Sequence, residues 1–126
     1  MRSLRIKTIG LAFLLTLLLG VGCEKAIPPV TPLAEEAFPV AFDKAFSKAK
    51  PETKELVSQI VAAVQAKDYP KAFSGLQALS GQSDLTKPQS DVCASALLTV
   101  NTLLQAAQAQ GDAKAAETIK VYRSTK

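Results

Sequence analysis

Histidine and tryptophan are absent from this chain, and it has two cysteines and one methionine in 126 residues. Without histidine there is no imidazole for a Ser-His-Asp relay, for an HExxH zinc site or for proton shuttling near neutral pH. Two cysteines far apart, Cys23 and Cys93, give no disulfide framework and no CxxC metal spacing. A glycine-rich phosphate loop and a basic-aromatic strip are also missing. Beyond the first 22 residues lie all eleven acidic and all but three of the fifteen basic side chains. The near-neutral remainder gives no ground for a nucleic-acid partner, which needs a clustered basic surface. No segment alternates with strand period, so β structure is not expected.

What is present begins with a basic end, Arg2, Arg5 and Lys7, followed by the charge-free run IGLAFLLTLLL and then GVGC. The apolar run falls short of the roughly 20 residues a spanning helix requires, and it fits the core of a secretory signal. The stretch LLLGVGC resembles the bacterial lipoprotein signal, or lipobox, with Gly20 where that family usually carries leucine. The resemblance implies cleavage between Gly22 and Cys23, with a diacylglyceryl group on the Cys23 thiol and an acyl group on the new amino terminus. These lipids are covalent, and no separate cofactor or metal is expected. Glu24 lacks the aspartate that retains enterobacterial lipoproteins at the inner membrane. The implied location is therefore the cell envelope, with the periplasmic face of the outer membrane favoured over the inner membrane.

Three segments follow: a signal peptide over 1–22, a lipidated cysteine with a proline-rich tether over 23–37, and a helical domain over 38–126. Pro28, Pro29 and Pro32 keep the tether out of a helix. From Phe38 the spacing becomes helical, with Phe38, Phe42 and Phe46 on one face. Pro51 opens a second helix with Leu56, Ile60, Ala63 and Val64 inward, and Pro70 a third with Ala72, Phe73, Leu76 and Leu79. The stretch SGQSDLTKPQS reads as a loop, so Ser90 or Asp91 is expected to cap a longer helix. Its inward residues would be Val92, Ala96, Val100, Leu103, Leu104 and Ala107. Gly111 should break it, and Asp112 should cap a last helix carrying Ala116, Ile119 and Tyr122. The expected fold is all-α: four to five helices in small hairpins.

Two turns share a pattern: Asp68 precedes Ala72 as Asp112 precedes Ala116, each after a polar or small pair. The set Asp68, Tyr69, Ala72 and Phe73, with Gly111, Asp112 and Ala116, resembles the tetratricopeptide helix–turn–helix, although the two turns lie further apart than that repeat's 34 or so residues. The resemblance implies a helical-hairpin surface that receives a protein or peptide. Carboxylate pairs such as Glu35/Glu36 and Glu52/Glu55 lie near helix starts, where negative charge favours the dipole, and are read as structural. Cys93, on an apolar helix, is read as a buried thiol. The functional expectation is a membrane-anchored, non-catalytic interaction module for an envelope protein or peptide. The alternative is a structural or self-associating lipoprotein without a specific groove. Oligomeric state and partner identity are not written in the sequence.

Overall fold

A computed structural model describes residues 29–126. The expected signal segment, the expected cleavage between Gly22 and Cys23, the expected lipidation of Cys23 and the first part of the expected tether lie outside the described residues. The described chain is all-helical. A 3-10 turn at Glu35–Ala37 leads into α1 (Phe38–Phe46), α2 (Pro51–Gln65), α3 (Tyr69–Ser80), α4 (Lys87–Ala109) and α5 (Ala113–Ser124).

The helix starts follow from local chemistry. Lys50 is extended, the conformation favoured before proline, and Pro51 then occupies the first turn of α2, where its missing N–H costs nothing. Asp68 and Asp112 cap α3 and α5, accepting hydrogen bonds from the amides of Lys71 and Ala115. The longest helix begins earlier than its sequence suggests. Neither Ser90 nor Asp91 caps it. Thr86 does, in a capping box: its hydroxyl accepts from the Gln89 amide, and the Gln89 side chain accepts from the Thr86 amide. Pro88, read as a loop residue, sits in the first helical turn, where proline is tolerated.

Helix neighbours define the architecture. α1 packs on α2, α2 on α3, α3 on α4, and α4 back on α1; the diagonal pairs α1/α3 and α2/α4 make no comparable contact. Four helices therefore close into a ring around one core, as in a four-helix bundle. α5 is the fifth helix and leans on α4 and α3 from outside. The α2–α3 and α4–α5 hairpins are those the turns imply, but α1 bridges α2 and α4 and so closes the first four helices. An open stack would instead bring each helix against its second neighbour along the chain, and here α3 and α5 alone do so appreciably.

The core is apolar. Phe38, Phe42 and Phe46 are buried, with successive ring centroids 5.7 and 5.9 Å apart, and meet Ile60, Val64, Leu76, Leu79, Val100 and Leu104. No polar or charged residue is buried among the described residues. One inward assignment shifts by one position and one falls away. In α2, Val57 is buried where the stripe predicts Leu56, and Leu56 only packs on the core edge. In α4, Leu104 is buried whereas Leu103 is not part of the core cluster. Neighbouring residues on a helix differ by about 100°, so two apolar residues at a stripe edge compete for one inward place. Gly75 marks the close approach of α3 to α2: a Cβ there would lie 2.7 Å from Ile60 Cγ1.

The helical domain also starts earlier than Phe38. Leu33 packs against the core, its amide donates to the Ser95 carbonyl at 3.3 Å, and its carbonyl accepts the Thr99 hydroxyl. Between Asp91 and Asp112 the chain has no charged residue, and α4 is long and apolar enough to cross a membrane by length and composition. Its inward face (Cys93, Ala96, Val100, Leu104) forms part of the core, while Leu98 remains 41% exposed.

Candidate functional site

The two turns singled out in the sequence are built alike, down to individual hydrogen bonds. At the end of α2, the Lys67 amide donates to the Val64 carbonyl and the Asp68 amide to the Ala63 carbonyl. At the end of α4, the Gly111 amide donates to Gln108 and the Asp112 amide to Ala107. Both are Schellman closures, in which a left-handed residue reverses the chain and satisfies the last carbonyls of the helix. Lys67 holds that position at φ 57° and Gly111 at φ 90°. The next residue is an aspartate in each case, and it caps the helix that follows. One aspartate thus closes one helix and opens the next.

Beyond the turns the two copies diverge. Ala72 is fully buried, four residues after Asp68. Ala116, four after Asp112, is half-buried, and Ala115 takes the fully buried place. Tyr69 does not serve the hairpin alone. Its hydroxyl donates to Glu35 Oε2 at 3.3 Å, tying the 3-10 turn to the start of α3. Partial burial, and then the Glu35 carboxylate, push the Tyr69 phenol above its usual pKa, because each disfavours the phenolate.

Because α5 leans on α3, a groove runs between those helices. Its volume is about 610 Å³, within the range of small-molecule and peptide-anchor pockets. Pro70 and Phe73 form the α3 wall, and Thr118, Val121 and Tyr122 the α5 wall. Phe73 and Tyr122 meet edge-on with centroids 5.2 Å apart, and Lys126 Nζ sits 5.0 Å from the Tyr122 ring centroid. Val121, half exposed at 51%, offers a branched side chain to whatever enters. Lys114 and Glu117 supply one charge of each sign at the rim. A second groove, of about 460 Å³, lies between α1 and α2 over Phe42, Phe46 and Val57, with Asp43 and Lys54 lining it as well. The α3–α5 groove is the larger.

Cys93 is 1% exposed, and burial pushes its thiol up to about 11, a shift that a hydrogen bond with Ser80 only partly offsets. A thiol so protonated is a poor nucleophile. Helical periodicity reads Phe73 and Tyr122 as core residues and gives no role to Val121 or Thr118. Their shared groove depends on α3 meeting α5, a contact that periodicity does not encode. No family model, no curated protein and no solved structure matches this chain.

Proposed function

We propose that this protein is a bacterial lipoprotein, anchored through lipid on Cys23, whose helical domain is a non-catalytic interaction module at the cell envelope. The anchor rests on the basic end, the short apolar run and GVGC. The module rests on one observation above all: the α3–α5 groove, walled by Pro70, Phe73, Val121 and Tyr122. Aromatic and branched walls suit an apolar anchor side chain from an envelope protein or peptide, and the Lys126 ammonium over Tyr122 adds one positive charge to the Lys114 and Glu117 pair. Two acyl chains hold a protein firmly on a bilayer where one binds reversibly, at about 0.8 kcal/mol per buried methylene. The outer membrane is the favoured location, from Glu24.

Self-association is the second reading. It is favoured by the charge-free stretch of α4 and the exposed Leu98, a face that meets its own copy without like-charge repulsion.

Metabolic labelling with a fatty acid should mark the wild type and not Cys23→Ala, which should accumulate as precursor; equal labelling of both refutes the anchor. Photo-crosslinkers placed at Val121 and at Leu98 then separate the two readings in cells. A discrete adduct to another protein from Val121 alone supports the groove. A homodimeric adduct from Leu98, with none from Val121, replaces it with self-association.

A further inference from the structure

We infer that the segment ahead of α1 is a latch: docked on α3 and α4 it shortens the lipid tether and holds the domain close to the bilayer, and released it lets the domain stand further off. The inference rests on the proposed lipid anchor at Cys23 and extends it to a mechanism for setting height.

Two attachment points make the latch. At Leu33, the amide and the carbonyl are both engaged, by Ser95 and Thr99 of α4, and the side chain packs on the core. At Glu35, the carboxylate accepts the Tyr69 hydroxyl from the first turn of α3. Between and around them the chain is open: Val30, Thr31, Pro32, Ala34 and Glu36 are exposed. A segment held by one apolar side chain and a few hydrogen bonds belongs to the low-stability end of a protein's local openings, well below the free energy of global unfolding. The phenylalanine core behind it is closed by contacts among α1, α2, α3 and α4.

The consequence is a length. With Leu33 docked, ten residues separate it from Cys23, a reach of at most roughly 31 Å at about 3.1 Å per residue. With the latch open as far as Phe38 fifteen residues are free, and the same spacing gives a maximum of roughly 47 Å. A gain of about half in reach is large for a module that must meet a partner across an envelope space. The latch also shares a support with the groove, because Tyr69, which holds Glu35, directly precedes Pro70 of the groove wall.

The test uses the full lipidated chain in vesicles of phosphatidylethanolamine and phosphatidylglycerol. Hydrogen exchange in the wild type should show the Leu33 amide slowed at least about tenfold against an unstructured peptide, yet faster than the core amides of α4. Tyr69→Phe combined with Thr99→Val should erase that protection and leave protection within α2 and α4 unchanged. Energy transfer from a dye at Ala109→Cys to a bilayer acceptor should fall in the same double variant, reporting greater height. Free exchange at Leu33 in the wild type overturns the latch, as does unchanged protection or unchanged transfer in the double variant. Protection at Leu33 in a wild-type chain that fails to bind vesicles overturns instead the anchor, and with it the height-setting role, while the docking itself stands.

Discussion

The left-handed residue in each turn gives the most direct check on the structure, because its energetics rest on backbone geometry alone. Lys67 adopts φ 57°, the one positive value among non-glycine residues in the described chain. For an L-residue the left-handed region costs on the order of 1–2 kcal/mol, while glycine enters it freely but loses about 0.5–1 kcal/mol more backbone entropy on folding. Comparing Lys67→Gly with Lys67→Ala cancels the lost charge and leaves this difference, so the glycine variant should be the more stable by about 0.5–1 kcal/mol. The neighbouring Ala66 has ordinary right-handed angles, φ −80° and ψ 0°. Ala66→Gly should therefore destabilise, by about 0.5–1 kcal/mol. At the other turn a Cβ on Gly111 meets nothing within 4 Å. Gly111→Ala thus carries only the backbone penalty and should also lose about 0.5–1 kcal/mol. In a domain of this size 1 kcal/mol moves Tm by roughly 4–8 °C, so thermal and urea melts resolve each effect. If Lys67→Gly is no more stable than Lys67→Ala, or Ala66→Gly is stabilising, the Schellman assignment is wrong and the two turns are not equivalent.

Three further outcomes follow from burial. Ala72→Leu and Ala115→Leu should each overpack a filled contact and lose about 1–3 kcal/mol, while Ala116→Leu, at a half-buried place, loses markedly less; urea melts that show Ala116 as the sensitive position reverse the assignment. Leu104→Asp should abolish the cooperative melt and Leu103→Asp should leave it recognisable by circular dichroism, since only the former buries an unpaired carboxylate. Alkaline pH should weaken the fold through Cys93. Both states hold a neutral thiol below the unfolded value of about 8.5; above it the unfolded chain ionises while the folded thiol stays protonated up to about 11. Stability therefore falls as pH rises across that window, and Cys93→Ala should flatten the fall once its own cavity cost is subtracted; parallel pH profiles for the two chains would refute the burial argument.

Which parts of this fold were legible in sequence depends on the range of the interaction that sets each part. Helix starts at Pro51, Pro70 and Asp112 follow from chemistry within one turn, and the structure places them there to within one residue, with Asp68 capping the helix that begins at Tyr69. The start of α4 was equally local: Thr86 and Gln89 carry the spacing of a capping box, but the lysine, proline and serine around them have the composition of a loop. The shifts from Leu56 to Val57 and from Ala116 to Ala115, and the loss of Leu103 beside a correctly placed Leu104, lie one step further out. Periodicity fixes a stripe to within about 100°, and which of two adjacent residues points inward is decided by the helix on the other side. Least legible is everything that needs two distant segments to meet: α1 closing on α4, Leu33 on Ser95 and Thr99, Glu35 beneath Tyr69, and the groove where α3 meets α5. The repeated aspartate turn shows why this matters for function. The turn geometry repeats because its hydrogen bonds are local, but whether successive hairpins stack openly or close into a ring is set by long-range packing. In this chain the phenylalanine helix packs on both α2 and α4, so the larger of the two grooves described forms where α5 adds to α3. The tetratricopeptide-like signal therefore marks the turns, and the groove belongs to the last helix.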